Sequence, residues 1–154
     1  MTPGGSLHGY RVLDLADETA ALCGKMFADL GADVVKVEPP GGCATRRIPP
    51  FLDQGAGPDR SAYFQALAAG KRSVTLDLQR PGARELLARL AGRADFLIES
   101  WPAGYLDGLG LSYPALAARM ASPSGGSTLT TSAPRSANIF PHSAAVSSAR
   151  SRTR

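Results

Sequence analysis

The stretch that most constrains this chain is Leu7 to Pro40, LHGYRVLDLADETAALCGKMFADLGADVVKVEPP, which reads as strand, turn, helix, strand. Tyr10 to Leu15 carries Val12, Leu13 and Leu15, the composition of a strand buried on both faces. Leu22, Cys23, Met26, Phe27 and Leu30 recur at three- and four-residue intervals, which puts one apolar stripe on a helix. Gly31 falls where a helix end favours a residue that tolerates positive φ. Val34, Val35 and Val37 follow as a second strand, closed by Pro39 and Pro40 because proline cannot donate to a ladder. Connections this short predict a right-handed parallel crossover.

The pattern continues downstream. Gly41 to Ser61 is a Gly- and Pro-rich loop with Arg46 and Arg47 near its start, a pair able to meet an anion with forked donors or to form a solvated charge pair. Ala62 to Ala69 predicts a short helix with Tyr63 and Phe64 facing inward, ended by Gly70. Val74, Leu76 and Leu78 alternate through a third strand, Ser73 to Leu78. Pro81 opens the next helix, where its missing N–H costs nothing, and Ala83, Leu86, Leu87, Leu90 and Ala91 form its stripe. Arg80, at the cap position, is a poor acceptor for the orphan N–H groups. Phe96 to Ile98 makes a fourth strand, followed by loop and short helical pieces to Met120. Strands alternating with helices predict an open, mostly parallel, Rossmann-like α/β sheet. Ligands of such sheets bind at the carboxyl ends of strands, here Asp17-Glu18, Pro39-Pro40, Asp77-Leu78-Gln79 and Glu99-Ser100-Trp101.

The text changes at Ala121. Residues 1–120 hold all 13 acids, whereas 121–154 hold nine serines and Arg135, Arg150, Arg152 and Arg154, which account for the net charge of +4. Ile139 and Phe140 are the only large apolar pair there, too little to offset backbone ordering, so 121–154 reads as a disordered tail or an out-of-frame continuation. A basic balance confined to a tail without interleaved aromatics does not make a nucleic-acid surface. No apolar run reaches the roughly 18–20 residues that span a bilayer, and MTPGGSLHGY lacks the form of a signal peptide. Cys23 and Cys43 form no metal or disulfide pattern, so the expectation is a metal-free protein of the cytoplasm.

Glu38, at the end of the second strand, stands where dinucleotide sites keep a ribose-binding acid, but the turn Ala16 to Ala20 has no glycines to admit a pyrophosphate. Asp17 and Glu18 in that turn read as helix-capping acids rather than catalytic ones. Asp14 and Asp77 lie within strands, where local hydrogen bonds are expected, and neither His8 nor His142 has a patterned partner for base catalysis.

Four pieces occur in order: Phe27 to Glu38, the EPPGG run from Glu38 to Gly42, Gly70 to Leu78, and Ala94 to Leu116. Together they resemble the N-terminal part of the class III CoA-transferases, the family of formyl-CoA and carnitine-CoA transferases and 2-methylacyl-CoA racemases, over about residues 7 to 120. The resemblance implies acyl-CoA and carboxylic acid substrates, interlocked homodimers, and a carboxylate nucleophile that forms a mixed anhydride and then a glutamyl or aspartyl thioester with CoA. It places coenzyme A against Thr19 and Ala20, Pro39, Leu76, Asp77, Leu78 and Gln79, and Ser100, Trp101 and Pro102, with Arg46 and Arg47 toward its phosphates. The family's nucleophilic aspartate follows a glycine-rich loop beyond the resemblance, and no Asp or Glu follows Asp107, so no catalytic residue is assigned. Gln79 and Gly108 stand where relatives often carry basic residues, which implies weak CoA binding. Three readings remain open: a truncated or frame-shifted, inactive piece of such an enzyme, a CoA- or nucleotide-binding module needing a partner chain, and a non-catalytic interaction protein.

Overall fold

A computed structural model describes residues 4–52, 57, 59–119 and 138–141. Five strands, β1 (Arg11–Asp14), β2 (Asp33–Glu38), β3 (Arg72–Thr75), β4 (Phe96–Glu99) and β5 (Asn138–Pro141), form one sheet in the order β3-β2-β1-β4-β5. The first four are mutually parallel, as their helical connections require. Helices α1 (Ala21–Asp29), α2 (Ala62–Ala68), α3 (Pro81–Ala91), α4 (Tyr105–Gly108) and α5 (Tyr113–Ala117) connect or follow them. The α/β, mostly parallel sheet is the one the periodicity predicts.

The tail differs from expectation at one place. Asn138–Pro141 pairs antiparallel with β4, setting Phe96 opposite Pro141 and Glu99 opposite Asn138. The strand is centred on the one apolar pair of that segment, and the edge of β4 supplies the backbone groups that such a pair needs. The remaining residues of 121–154 lie outside the described residues.

Alternation along β1 sends Val12 and Leu13 to opposite faces and creates two cores. On one face Val12, Val34, Ala32 and Ile98 pack with Phe27 and Ala28 of α1, and Phe96 meets the rings of Tyr10 and Phe27 at 5.7 and 5.2 Å. On the other, Leu13, Leu15, Val37 and Leu97 pack on Leu87, Ala88 and Ala91 of α3, with Leu111 and Leu116.

Helix α1 buries only part of the stripe that its spacing suggests, Cys23 and Phe27 packing against the core. Leu22, Met26 and Leu30 are 59%, 56% and 46% exposed, while Ala21 and Gly24 face inward. The reason is proximity, since a Cβ on Gly24 would stand 2.8 Å from both Asp14 Cγ and Lys71 Nζ. Only small residues fit between this helix and the sheet end. In α3 the stripe holds at Leu87 and Ala91, but Leu86 is exposed and Ala88 is buried in its place. Gly31 closes α1 at φ 95°, and Arg80 makes no side-chain cap bond at the start of α3.

Candidate functional site

A cleft of about 180 Å³ opens at the carboxyl ends of the parallel strands. Ala16 and Asp17 enter it after β1, Glu38 and Pro39 at the end of β2, Leu76 to Gln79 after β3, and Trp101 and Tyr105 after β4. Of the residues singled out from sequence, the fold therefore gathers Pro39, Leu76, Asp77, Leu78, Gln79 and Trp101. Ser100 stands behind them, its Oγ accepting the Asp17 N–H at 2.9 Å and tying the β1 turn to the β4 turn. Pro102 lines a separate small cavity with Tyr113 and Leu116. Thr19 is exposed and Ala20 is buried in the core beside α1; neither lines the cleft. Ala16, Glu38, Cys43 and Tyr105 also line it; of these Glu38 has a legible signal in its place at the end of β2, and Tyr105 in the aromatic spacing from Trp101. Those two rings meet at 4.9 Å, tilted by 47°, and Gln79 Nε2 donates to Tyr105 OH at 3.3 Å.

Arg46 and Arg47 both lie outside the lining and differ from each other. Arg46 turns its fork on Glu38, with Nε donating to Oε2 at 2.6 Å and Nη2 to Oε1 at 2.8 Å; Nη1 meets Asp59, and the guanidinium lies 3.8 Å over the Phe64 ring. Ser73 Oγ and the Cys43 N–H also donate to Glu38, at 2.7 and 3.1 Å. Burial alone would raise the Glu38 carboxyl, but Arg46, then Ser73 and Cys43, hold it at about 2. Glu38 in turn raises the Arg46 guanidinium. Arg47 is exposed and gives one long bond to Gly41 O, at 3.4 Å.

Beneath the β1 turn lies a buried ionic cluster. Asp14 is fully buried and pairs with Lys71 Nζ at 2.7 Å and, more distantly, with Lys36 Nζ at 3.9 Å. Lys36 donates to Ala16 O, Lys71 to Ala21 O at 3.2 Å, and the Ala16 N–H to Asp14 Oδ1 at 3.0 Å. The two lysines thus pin both ends of the turn carrying Asp17 and Thr19. The lysines of the VVKVE and GKRS stretches are fasteners of this turn, a role that their sequence neighbours do not disclose. Asp14 bonds locally, as expected, but also over 57 residues to Lys71.

Asp17 departs from the capping expectation. It occupies the N-cap of a single 3-10 turn, Glu18–Ala20, yet its side chain makes no cap bond.

The CoA-transferase family III matches residues 7–121. The chain is 42% identical over 113 residues to the succinyl-CoA:(R)-benzylsuccinate CoA-transferase subunit BbsE of Thauera aromatica, and equally so to a succinyl-CoA:mesaconate CoA-transferase of Haloarcula hispanica. In each case the match covers 73% of this chain and 28% of the relative. Among solved structures, a CAIB/BAIF family protein from Brucella suis superposes with a TM-score of 0.68 at 41% identity, over 77% of this chain and 32% of that one. The Rv3272 protein of Mycobacterium tuberculosis gives 0.69 at 40% identity, over 77% and 33%. The chain thus spans about a third or less of the length of these relatives. Family, sheet and strand-end cleft agree: the chain belongs to CoA-transferase family III.

Proposed function

We propose that these residues hold coenzyme A at the strand-end cleft, for an enzyme that moves CoA between an acyl-CoA and a carboxylic acid. The observation that carries this reading is the convergence of four separate strand ends on one cleft, all within the residues that match the family. The chemistry needs no metal. A carboxylate attacks the thioester carbonyl and CoA leaves as thiolate. The thiolate attacks the enzyme-side carbonyl of the mixed anhydride and expels the first acid as its carboxylate. The second acid's carboxylate reverses these steps on the aspartyl-CoA thioester, leaving as acyl-CoA and freeing the enzyme carboxylate. Glu38 and Asp77 at the cleft are engaged by Arg46 and Arg80, Asp17 is read as a binding group, and no residue here is assigned as the nucleophile. The 154 residues alone carry no turnover in this reading, and a second copy, in the interlocked homodimer of the family, completes the site in a cytoplasmic enzyme.

Titration of CoA into the 15N-labelled chain at low salt tests the binding half. Shifts are expected at Asp17, Leu76 to Gln79 and Trp101, with a dissociation constant around the millimolar range, equivalent to about −4 kcal/mol. Arg47→Ala should weaken binding modestly, as an exposed phosphate pair contributes about 1 kcal/mol or less. Absence of shifts at about 10 mM CoA, a concentration well above that range, would refute the reading.

A further inference from the structure

Among the described residues, one buried side-chain oxygen lacks a hydrogen-bond partner: Oδ1 of Asp17, on the wall of the cleft. A buried carboxylate oxygen left unpaired is costly, and such a group calls for a partner such as water, an ion or a ligand. Local explanations fail. Asp17 makes no cap bond, and its backbone N–H is already held by Ser100 Oγ. The other two carboxylates of the cleft are engaged, Glu38 by Arg46 and Ser73, Asp77 by the Gln79 N–H and Arg80 Nε, both at 3.1 Å.

The lining has a second property. It holds three carboxylates, Asp17, Glu38 and Asp77, and neither lysine nor arginine. Arg46 and Arg80 offset Glu38 and Asp77, but a phosphate placed there would face Asp17 with no lysine or arginine in the lining. An uncharged N–H donor would instead give Asp17 the partner it lacks, in a charge-assisted bond. The Trp101 and Tyr105 rings, in tilted contact, offer that group an apolar wall.

We propose that Asp17 is a specificity-determining residue that accepts a hydrogen bond from an uncharged N–H group of the ligand, while the ligand's phosphates stay outside this cleft. The inference rests on the CoA reading, and CoA offers such donors at the adenine amine and at the pantetheine amides. Both share the required chemistry, and separate fragments tell them apart.

The test titrates adenosine, pantetheine, inorganic phosphate and CoA into the full chain and its Asp17→Asn and Asp17→Ala variants, followed by amide shifts, with urea unfolding of each unliganded protein. One neutral fragment should shift the cleft resonances of the wild type. Asp17→Ala should weaken that fragment and CoA about ten- to a hundredfold, with Asp17→Asn intermediate. Phosphate should leave the cleft unshifted in the wild type, and unliganded Asp17→Asn should be at least as stable as the wild type. Fragment binding indifferent to both substitutions overturns the assignment. So does a loss of stability in Asp17→Asn, which would make Asp17 a counter-charge to the buried Lys36 and Lys71. CoA binding equally to all three proteins would leave the CoA reading standing and this one refuted. If CoA fails to bind the wild type, the CoA reading falls; a fragment that binds and is lost in Asp17→Ala still supports the Asp17 assignment, and no fragment binding overturns it.

Discussion

At Glu38, donors from Arg46, Ser73 and Cys43 converge on one carboxylate that is 2% exposed. A carboxyl held at about 2 against an ordinary 4.5 binds its proton less readily folded than unfolded. Its contribution to stability is therefore complete above about pH 4.5 and is lost as the pH falls toward 2. That gap corresponds to on the order of 3 kcal/mol. Urea unfolding of the wild type should weaken through this window, and Glu38→Gln should be less stable at neutral pH and flatter below it. An equal decline in both proteins would assign the acid sensitivity elsewhere. Sequence reading took Arg46 for a phosphate donor because a loop arginine gives no sign of a partner eight residues back. The pairing depends on the loop folding over at Gly42, which has φ of 82° and where a Cβ would stand 2.9 Å from Arg46 Nε.

Helix α1 shows what periodicity delivers and where it stops. The three- and four-residue spacing of apolar residues identified the helix and its glycine end, but large residues were assumed to face the core. Here the inward face is set by how near the helix must come to the Asp14–Lys71 pair, which favours Ala21 and Gly24 and leaves Leu22, Met26 and Leu30 outside. In an exposed helix interior, Gly→Ala stabilises by about 1 kcal/mol. At Gly24 the sign should reverse. The added methyl would force apart a buried ion pair and shift the turn that it pins, and overpacking of this kind costs about 1–3 kcal/mol. Thermal unfolding of Gly24→Ala should show a lowered Tm, and a raised one would contradict the packing described. The third strand, expected over Ser73 to Leu78, is Arg72–Thr75 at the exposed sheet edge, while β1, β2 and β4 were equally readable from Val12, Val34 and Leu97, because burial on both faces leaves few alternatives. The buried cluster was not, because nothing in GKRS states that its lysine reaches residue 14.

Across the whole molecule, the parallel order followed from short crossovers, and only the antiparallel β5 lay outside the pattern, since four residues in a serine-rich stretch carry too weak a period to register. Basic residues number 17, yet only Lys25, Lys36 and Lys71 are lysines, and the burial of the last two has a chemical consequence. Their side chains are 4% and 2% exposed, against 22% for Lys25, which pairs with Asp29. An amine-acylating reagent applied to the native protein should modify Lys25, with Lys36 and Lys71 reacting only in denaturant, as peptide mass spectrometry would resolve. Rapid native modification of either would contradict the buried cluster. Acyl thioesters are themselves amine-acylating agents, and arginine does not react with them under the same conditions. A surface whose positive charge is carried by guanidinium groups leaves such a ligand one lysine side chain to scar.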